Sequence, residues 1–132
     1  MNVAVVCSAI LGALIFVLGA NVSRLRLAQE RAGAPQYSPD PGGGLFKAVR
    51  AHGNATEYIP MLAVLMLLVG AQAPAPWAIA AMMGATASRL LHVYGILASP
   101  TLERQTPARF IGAVGTYVFG LALVVAALAT VR

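Results

Sequence analysis

Charge is scarce in this chain: 10% of its 132 residues are Asp, Glu, Lys or Arg, whereas 59% are hydrophobic. A soluble domain of this length needs fewer apolar residues to fill a core and more charged ones to cover it, so the expected class is a membrane protein. Acidic groups are the scarcest of all, four against nine Lys and Arg. That excess does not describe a nucleic-acid surface, because the basic residues sit beside apolar segments rather than along one exposed face. Cysteine occurs once, as Cys7 inside an apolar run. A disulfide framework is therefore excluded, and the residue reads as packing. No metal site and no internal repeat are expected, and residues 1–132 read as one domain.

A bilayer core is crossed by about 20 apolar residues of helix. Residues 3–22, 77–97 and 110–131 each reach that length. Residues 58–71 are almost wholly apolar but too short, so this helix has to begin near Leu45 and take in Lys47, Arg50, His52, Asn54 and Glu57. The expected fold is an all-α, four-helix, up-and-down transmembrane bundle with spans at about 2–27, 45–71, 76–97 and 108–131. The first span has no charged start and is followed by Arg24 and Arg26, which reads as a retained helix rather than a cleaved signal peptide. Pro35, Pro39, Pro41 and three consecutive glycines, Gly42 to Gly44, form the first connection; Pro74 and Pro76 form a tight second one; Pro100 to Pro107 form the third. Basic residues flank the first connection (Arg24, Arg26, Arg31, Lys47, Arg50) and the third (Arg104, Arg109), and none lies in the second. Both basic connections are therefore expected on the cytoplasmic side and both termini opposite, with Arg132 a minor contrary charge.

The second span carries the chemistry. At 100° per residue, Arg50, Asn54 and Glu57 lie within about 60° of one another, on one helix face that also holds Gly53, while His52 points nearly opposite toward another contact. Tyr58 follows, and Pro60 removes a backbone hydrogen bond just beyond. An ionisable group costs about 2.5–3.5 kcal/mol near a helix centre on insertion scales, so this stripe has to face protein, ligand or water. The plainest structural reading pairs Glu57 with Arg89 of the third span, where Arg89 and His92 stand at i, i+3. That pairing leaves Arg50, Asn54 and the remaining arginines unexplained. Positive-inside anchoring suffices for Arg26, Arg31, Lys47 and Arg104. Basic groups from all four helices nevertheless gather at one membrane level, an arrangement that suits an anionic ligand.

The segment Arg50-Ala51-His52-Gly53-Asn54-Ala55-Thr56-Glu57-Tyr58-Ile59-Pro60 closely resembles the signature of the MAPEG family, the membrane-associated proteins of eicosanoid and glutathione metabolism. The runs from Arg89 to Gly95 and from Arg109 to Gly112 look like those of small bacterial members, and the likeness extends over nearly the whole chain. The resemblance implies a homotrimer in an inner membrane, with glutathione bound between subunits near the cytoplasmic side. It implies that Arg24, Arg50, Asn54, Glu57 and Tyr58 contact glutathione, and it puts Arg89 beside the glutamate and His92 in the same binding set. It also implies that an arginine near the fourth helix, Arg109 or its rival Arg104, stabilises the glutathione thiolate for attack on an electrophile. Family relatives carry a tyrosine four residues beyond the position of His92, where this chain has Ile96; Tyr94 is the candidate replacement. Gly53 stands where some relatives have a bulkier residue.

Three functions are compatible with these features. A glutathione transferase or glutathione-dependent peroxidase, acting on a small lipophilic electrophile from the bilayer, accounts for both the motif and the charge placement. A small proton-coupled exporter would use Glu57 as its membrane carboxylate, against the arginines that would repel a cationic drug. A non-catalytic glutathione- or lipid-binding member of the family is the third.

Overall fold

The computed structural model describes residues 1–131; the charge of Arg132 lies outside the described residues. Four helices follow in order, α1 (Asn2–Arg31), α2 (Gly44–Ala71), α3 (Pro76–Leu97) and α4 (Pro107–Leu128). Their limits follow local chemistry. Pro76 and Pro107 occupy first-turn positions of α3 and α4, where a missing N–H costs nothing and the fixed φ favours helix. An Asp40 carboxylate oxygen accepts from Gly42 N–H at 3.0 Å, and the Asp40 carbonyl accepts from Gly43 N–H at 2.9 Å, so the chain turns directly into α2. α1 runs on past the expected boundary to Arg31, because Arg24, Arg26 and Arg31 are good helix formers exposed beyond the apolar stretch. It stops at Gly33, whose φ of 67° is the left-handed conformation that glycine adopts without strain.

Even the shortest helices, at 22 residues, extend about 33 Å, slightly more than the hydrocarbon thickness of a bilayer. Three of the four, α1, α2 and α4, also contain a stretch long and apolar enough to cross it. α3 is the exception in composition, and its polar residues Thr86, Ser88 and Arg89 are buried within the bundle. Outward positions are apolar: Phe16, Met61, Leu68, Leu121, Val125 and Leu128 are all exposed. Contiguous apolar surface of this kind belongs against lipid or another subunit.

α1 packs chiefly on α2, and α3 on α4, giving two antiparallel hairpins laid side by side. Lipid is as apolar as leucine, so helix association here depends on close packing rather than on expulsion of water. The buried faces are accordingly small. Ala48, Ala51 and Ala55 line one side of α2, and Ala78, Ala81 and Ala85 one side of α3, between larger plugs such as Leu11, Ile59, Met66 and Leu123. α3 and α4 approach closely at Gly112, where a Cβ would lie 2.5 Å from the His92 amide nitrogen. Buried hydroxyls bond within their own helices, Thr86 to the Met82 carbonyl at 2.9 Å and Thr116 to the Gly112 carbonyl at 2.7 Å.

The first and third connections meet at one end of the bundle. Leu102 N–H donates to the Pro41 carbonyl at 3.1 Å, and the Lys47 ammonium donates to the Ser99 carbonyl at 3.1 Å. Up-and-down topology thus brings the C-terminal ends of α1 and α3 and the N-terminal ends of α2 and α4 to the same side, and the basic residues with them.

Candidate functional site

Arg89 is the centre of the polar cluster. Its side chain is only 1% exposed, the largest fully buried side chain in the molecule's described residues. One guanidinium nitrogen donates to the side-chain oxygen of Asn54 at 2.8 Å and to the Asn54 backbone carbonyl at 3.2 Å. The guanidinium carbon stands 5.2 Å from the centre of the Tyr58 ring. At that distance the ring's quadrupole attracts the cation, a contact worth up to about 2 kcal/mol when desolvated. The Arg89 Nε–H has no partner.

This arrangement replaces the expected Glu57–Arg89 ion pair. Glu57 is exposed on the outer side of α2, whereas Asn54, one turn earlier, is turned toward α3 and takes the guanidinium. The stripe of Arg50, Asn54 and Glu57 is one face, as its spacing requires, but that face straddles the edge of the subunit: Asn54 is half-buried while Arg50 and Glu57 are exposed. His52, on the other side of α2, packs against Gly19 of α1, its Nε2 being 3.2 Å from where a Cβ would stand there.

α4 supplies a residue that the sequence reading did not single out. The hydroxyls of Tyr58 and Tyr117 are 3.0 Å apart, and their rings meet edge to face at a centroid distance of 5.8 Å. No local sequence signal marks Tyr117, because its partner Tyr58 lies on another helix, 59 residues away. Tyr94, proposed for the missing tyrosine contact, is 64% exposed and borders the third connection with Ser99 and Thr106, away from Arg89. Ile96, at the position of that tyrosine in relatives, is buried in the core.

His92 and Arg109 join α3 to α4. The His92 Nδ1–H donates to the Arg109 backbone carbonyl at 2.9 Å. The Arg109 side chain turns back along the third connection, where one nitrogen donates to the Arg104 carbonyl at 2.8 Å and to the Leu102 carbonyl at 3.3 Å. Arg104 itself is exposed in that connection. Arg24 is exposed near the end of α1 and donates to the Asn21 side-chain oxygen at 2.9 Å. One pattern runs through these contacts: Arg24, Lys47, Arg89 and Arg109 all donate to amide or carbonyl oxygens, none of them to a carboxylate. Their charges are positioned without being neutralised.

Two spaces adjoin the cluster. A cleft of about 550 Å³ opens between α2 and α4, with Glu57, Tyr58 and Tyr117 toward one end and Met61, Leu65 and Val124 along an apolar length. A second, partly open space of about 40 Å³ lies among Asn54, Tyr58, Arg89, His92, Thr116 and Tyr117. No group of three His, Cys, Asp or Glu side chains is placed to hold a metal ion among the described residues.

A four-helix bundle with an apolar exterior and a buried arginine-centred polar cluster defines an integral membrane protein with a specialised interior. The MAPEG family model matches residues 4–129, and the chain belongs to that family. It is 37% identical over 93 residues to the inner membrane protein YecN of Escherichia coli strain K12, and equally so to YecN of the O6:H1 strain CFT073. That match takes in 66% of this chain and 65% of the relative, so the chain spans just under two thirds of the length of the curated relatives it matches.

Proposed function

We propose that the protein is a membrane-bound glutathione transferase, with glutathione-dependent peroxidase activity as the related outcome, acting on small lipophilic electrophiles. One observation carries this reading: basic groups from several elements gather at one end of the bundle and are held by neutral oxygens rather than by carboxylates. Glutathione brings two carboxylates and an ammonium group. Arg24 and Arg50 are the exposed cations suited to the carboxylates by charge-assisted forks, Asn54 and Tyr58 add hydrogen-bonding groups beside them, and Glu57 is the acceptor for the ammonium. Arg89 and His92 lie behind this face and hold it in shape.

At the thiol end, a cation lowers the pKa of a thiol from its free value of about 8.5 and raises the thiolate fraction at neutral pH. The sulfur then forms a bond to the electrophilic carbon, and the leaving group departs with the displaced electron pair. Arg109 or the exposed Arg104 is the cation for this role. Arg109 reaches it with the guanidinium N–H groups that the third connection does not occupy. The lipophilic partner enters from the bilayer into the α2–α4 cleft, whose polar end carries Tyr58 and Tyr117.

Self-association completes the site. Glu57 lies thirteen residues into α2, about 20 Å from its start, and is exposed on the isolated subunit. A charge at that depth needs a protein neighbour rather than lipid. A homotrimer with glutathione between subunits supplies one, with both basic connections toward the cytoplasm.

The experiment is a conjugation assay of purified protein with glutathione and an aromatic halide. Product formation above the uncatalysed rate, reduced by Arg109→Ala or Arg104→Ala with glutathione binding retained, is expected; no turnover with any electrophile leaves a binding protein. A second reading has its own support: Glu57 is not held by Arg89 and lines the apolar cleft, as a proton-coupled exporter of lipophilic cations would require. Proton-driven dye efflux abolished by Glu57→Gln would establish that reading in place of the first.

A further inference from the structure

The cleft between α2 and α4 is apolar along its length and polar at one end. From Glu57 to Leu65 it follows α2 for about 12 Å, with Met61, Leu121 and Val124 also on its walls. Among the described residues, the polar side chains that border it are Glu57, Tyr58, Thr116 and Tyr117, and they differ in what they can donate. An ionised Glu57 only accepts. The Thr116 hydroxyl gives its proton to the Gly112 carbonyl at 2.7 Å. The two tyrosine hydroxyls, 3.0 Å apart, share a hydrogen bond that lies at the surface rather than in the core and uses one of their two protons. One phenolic proton is left to give. The Arg89 guanidinium carbon, 5.2 Å from the Tyr58 ring centre, draws electron density from that phenol, so Tyr58 is the donor of the pair. The spare proton is then on Tyr117, which is 53% exposed.

We infer that the Tyr117 hydroxyl is a catalytic hydrogen-bond donor to a carbonyl oxygen, and that the electrophile is an α,β-unsaturated aldehyde or ketone with a medium-length apolar chain. The inference deepens the glutathione reading and relies on it for the nucleophile. A single donor at the end of an apolar cleft selects a ligand with one acceptor at the end of an apolar chain, because a carbonyl brought there without a partner loses its hydrogen bonds to water. The chain lies along Met61, Leu65, Leu121 and Val124. In the reaction the glutathione sulfur bonds to the β-carbon, and the carbon–carbon π pair shifts to form an enolate with its charge on oxygen. The α-carbon then takes up the proton that the thiol gave up, so no leaving group departs. The Tyr117 hydrogen bond strengthens as the oxygen gains charge, which stabilises the transition state more than the bound aldehyde. A halide electrophile instead sends its electron pair out with the halide and develops no charge on oxygen. Tyr58 is a positioning residue: by donating to the Tyr117 oxygen it leaves the Tyr117 proton for the cleft and polarises it further.

Two measurements on the full chain in lipid nanodiscs test this. In the first, glutathione conjugation of nonenal is compared with that of benzyl bromide, which carries no oxygen. Tyr117→Phe should lower kcat/KM for nonenal relative to kcat/KM for benzyl bromide by about tenfold or more, the effect of losing one hydrogen bond to a charged oxygen. The second needs neither glutathione nor turnover: the infrared carbonyl stretch of bound nonanone, a saturated analogue, should fall to lower wavenumber in wild type than in protein-free nanodiscs, and return in Tyr117→Phe. Equal losses of kcat/KM for the two electrophiles, or a bound carbonyl with no lowered stretch in wild type, would overturn this inference and leave the glutathione reading standing. Conjugation of neither electrophile would overturn the assigned chemistry together with that reading.

Discussion

Asn54→Leu is the most informative single change, because it separates the observed partner of Arg89 from the one expected of an ion pair. The substitution keeps the volume close and removes the 2.8 Å side-chain hydrogen bond, leaving only the longer one to the backbone carbonyl. A hydrogen bond to a charged group contributes about 1.5–3 kcal/mol in soluble proteins. Within a bilayer the measured range falls to a maximum of about 1.7 kcal/mol, because the unfolded chain finds other partners there. The buried position and charged donor place this bond at the top of that range. A loss of about 1.5 kcal/mol is therefore expected, which is about a tenfold shift in the folding equilibrium. The assay is reversible unfolding in mixed micelles titrated with a denaturing detergent, followed by far-ultraviolet circular dichroism. Glu57→Gln, measured in parallel, should leave the midpoint unchanged, since Glu57 is exposed and accepts nothing from Arg89. If Glu57→Gln destabilises as much as Asn54→Leu, the neutral-oxygen account of Arg89 is refuted.

Three further outcomes follow from the geometry. Gly112→Ala sets a Cβ 2.5 Å from the His92 backbone nitrogen, which cannot yield as a flexible side chain would, so α3 and α4 should separate and the yield of folded protein fall sharply; Gly53→Ala, with nothing within 4 Å, should behave as wild type in the same purification. Arg109→Lys loses the guanidinium nitrogen that donates to two carbonyls of the third connection, and limited proteolysis should cut between residues 101 and 106 several times faster than in wild type. Tyr117→Phe removes the hydroxyl partner of Tyr58 while keeping the ring contact; it should raise the KM for the lipophilic substrate with little change in affinity for glutathione, measured by steady-state kinetics.

The four helices were legible because length and apolar composition decide them almost unaided, and the prolines at 76 and 107 mark two starts unambiguously. The end of α1 was less so: beyond the apolar stretch, only helix propensity and Gly33 determine where it stops. On α2, a 100° periodicity correctly put Arg50, Asn54 and Glu57 on one face, yet could not say which of them meets α3. That choice depends on the rotation of α2 about its own axis, which the small residues packing α2 against its neighbours decide. Charge sign favoured Glu57 as the partner of Arg89; rotation favoured Asn54. Tyr117 was missed for a related reason, since its partner Tyr58 is remote in sequence and nothing local distinguishes it from an interfacial aromatic. Tyr94, close to His92 in sequence, points elsewhere because two residues along a helix turn a side chain by about 200°.

The central claim is that the uncompensated basic end of the bundle binds glutathione. Isothermal titration of glutathione into the purified protein in lipid nanodiscs tests it without requiring turnover or knowledge of the second substrate. Saturable binding that weakens at least tenfold in Arg50→Ala is the expected result. Absence of saturable binding, or binding indifferent to Arg50→Ala, would contradict the account.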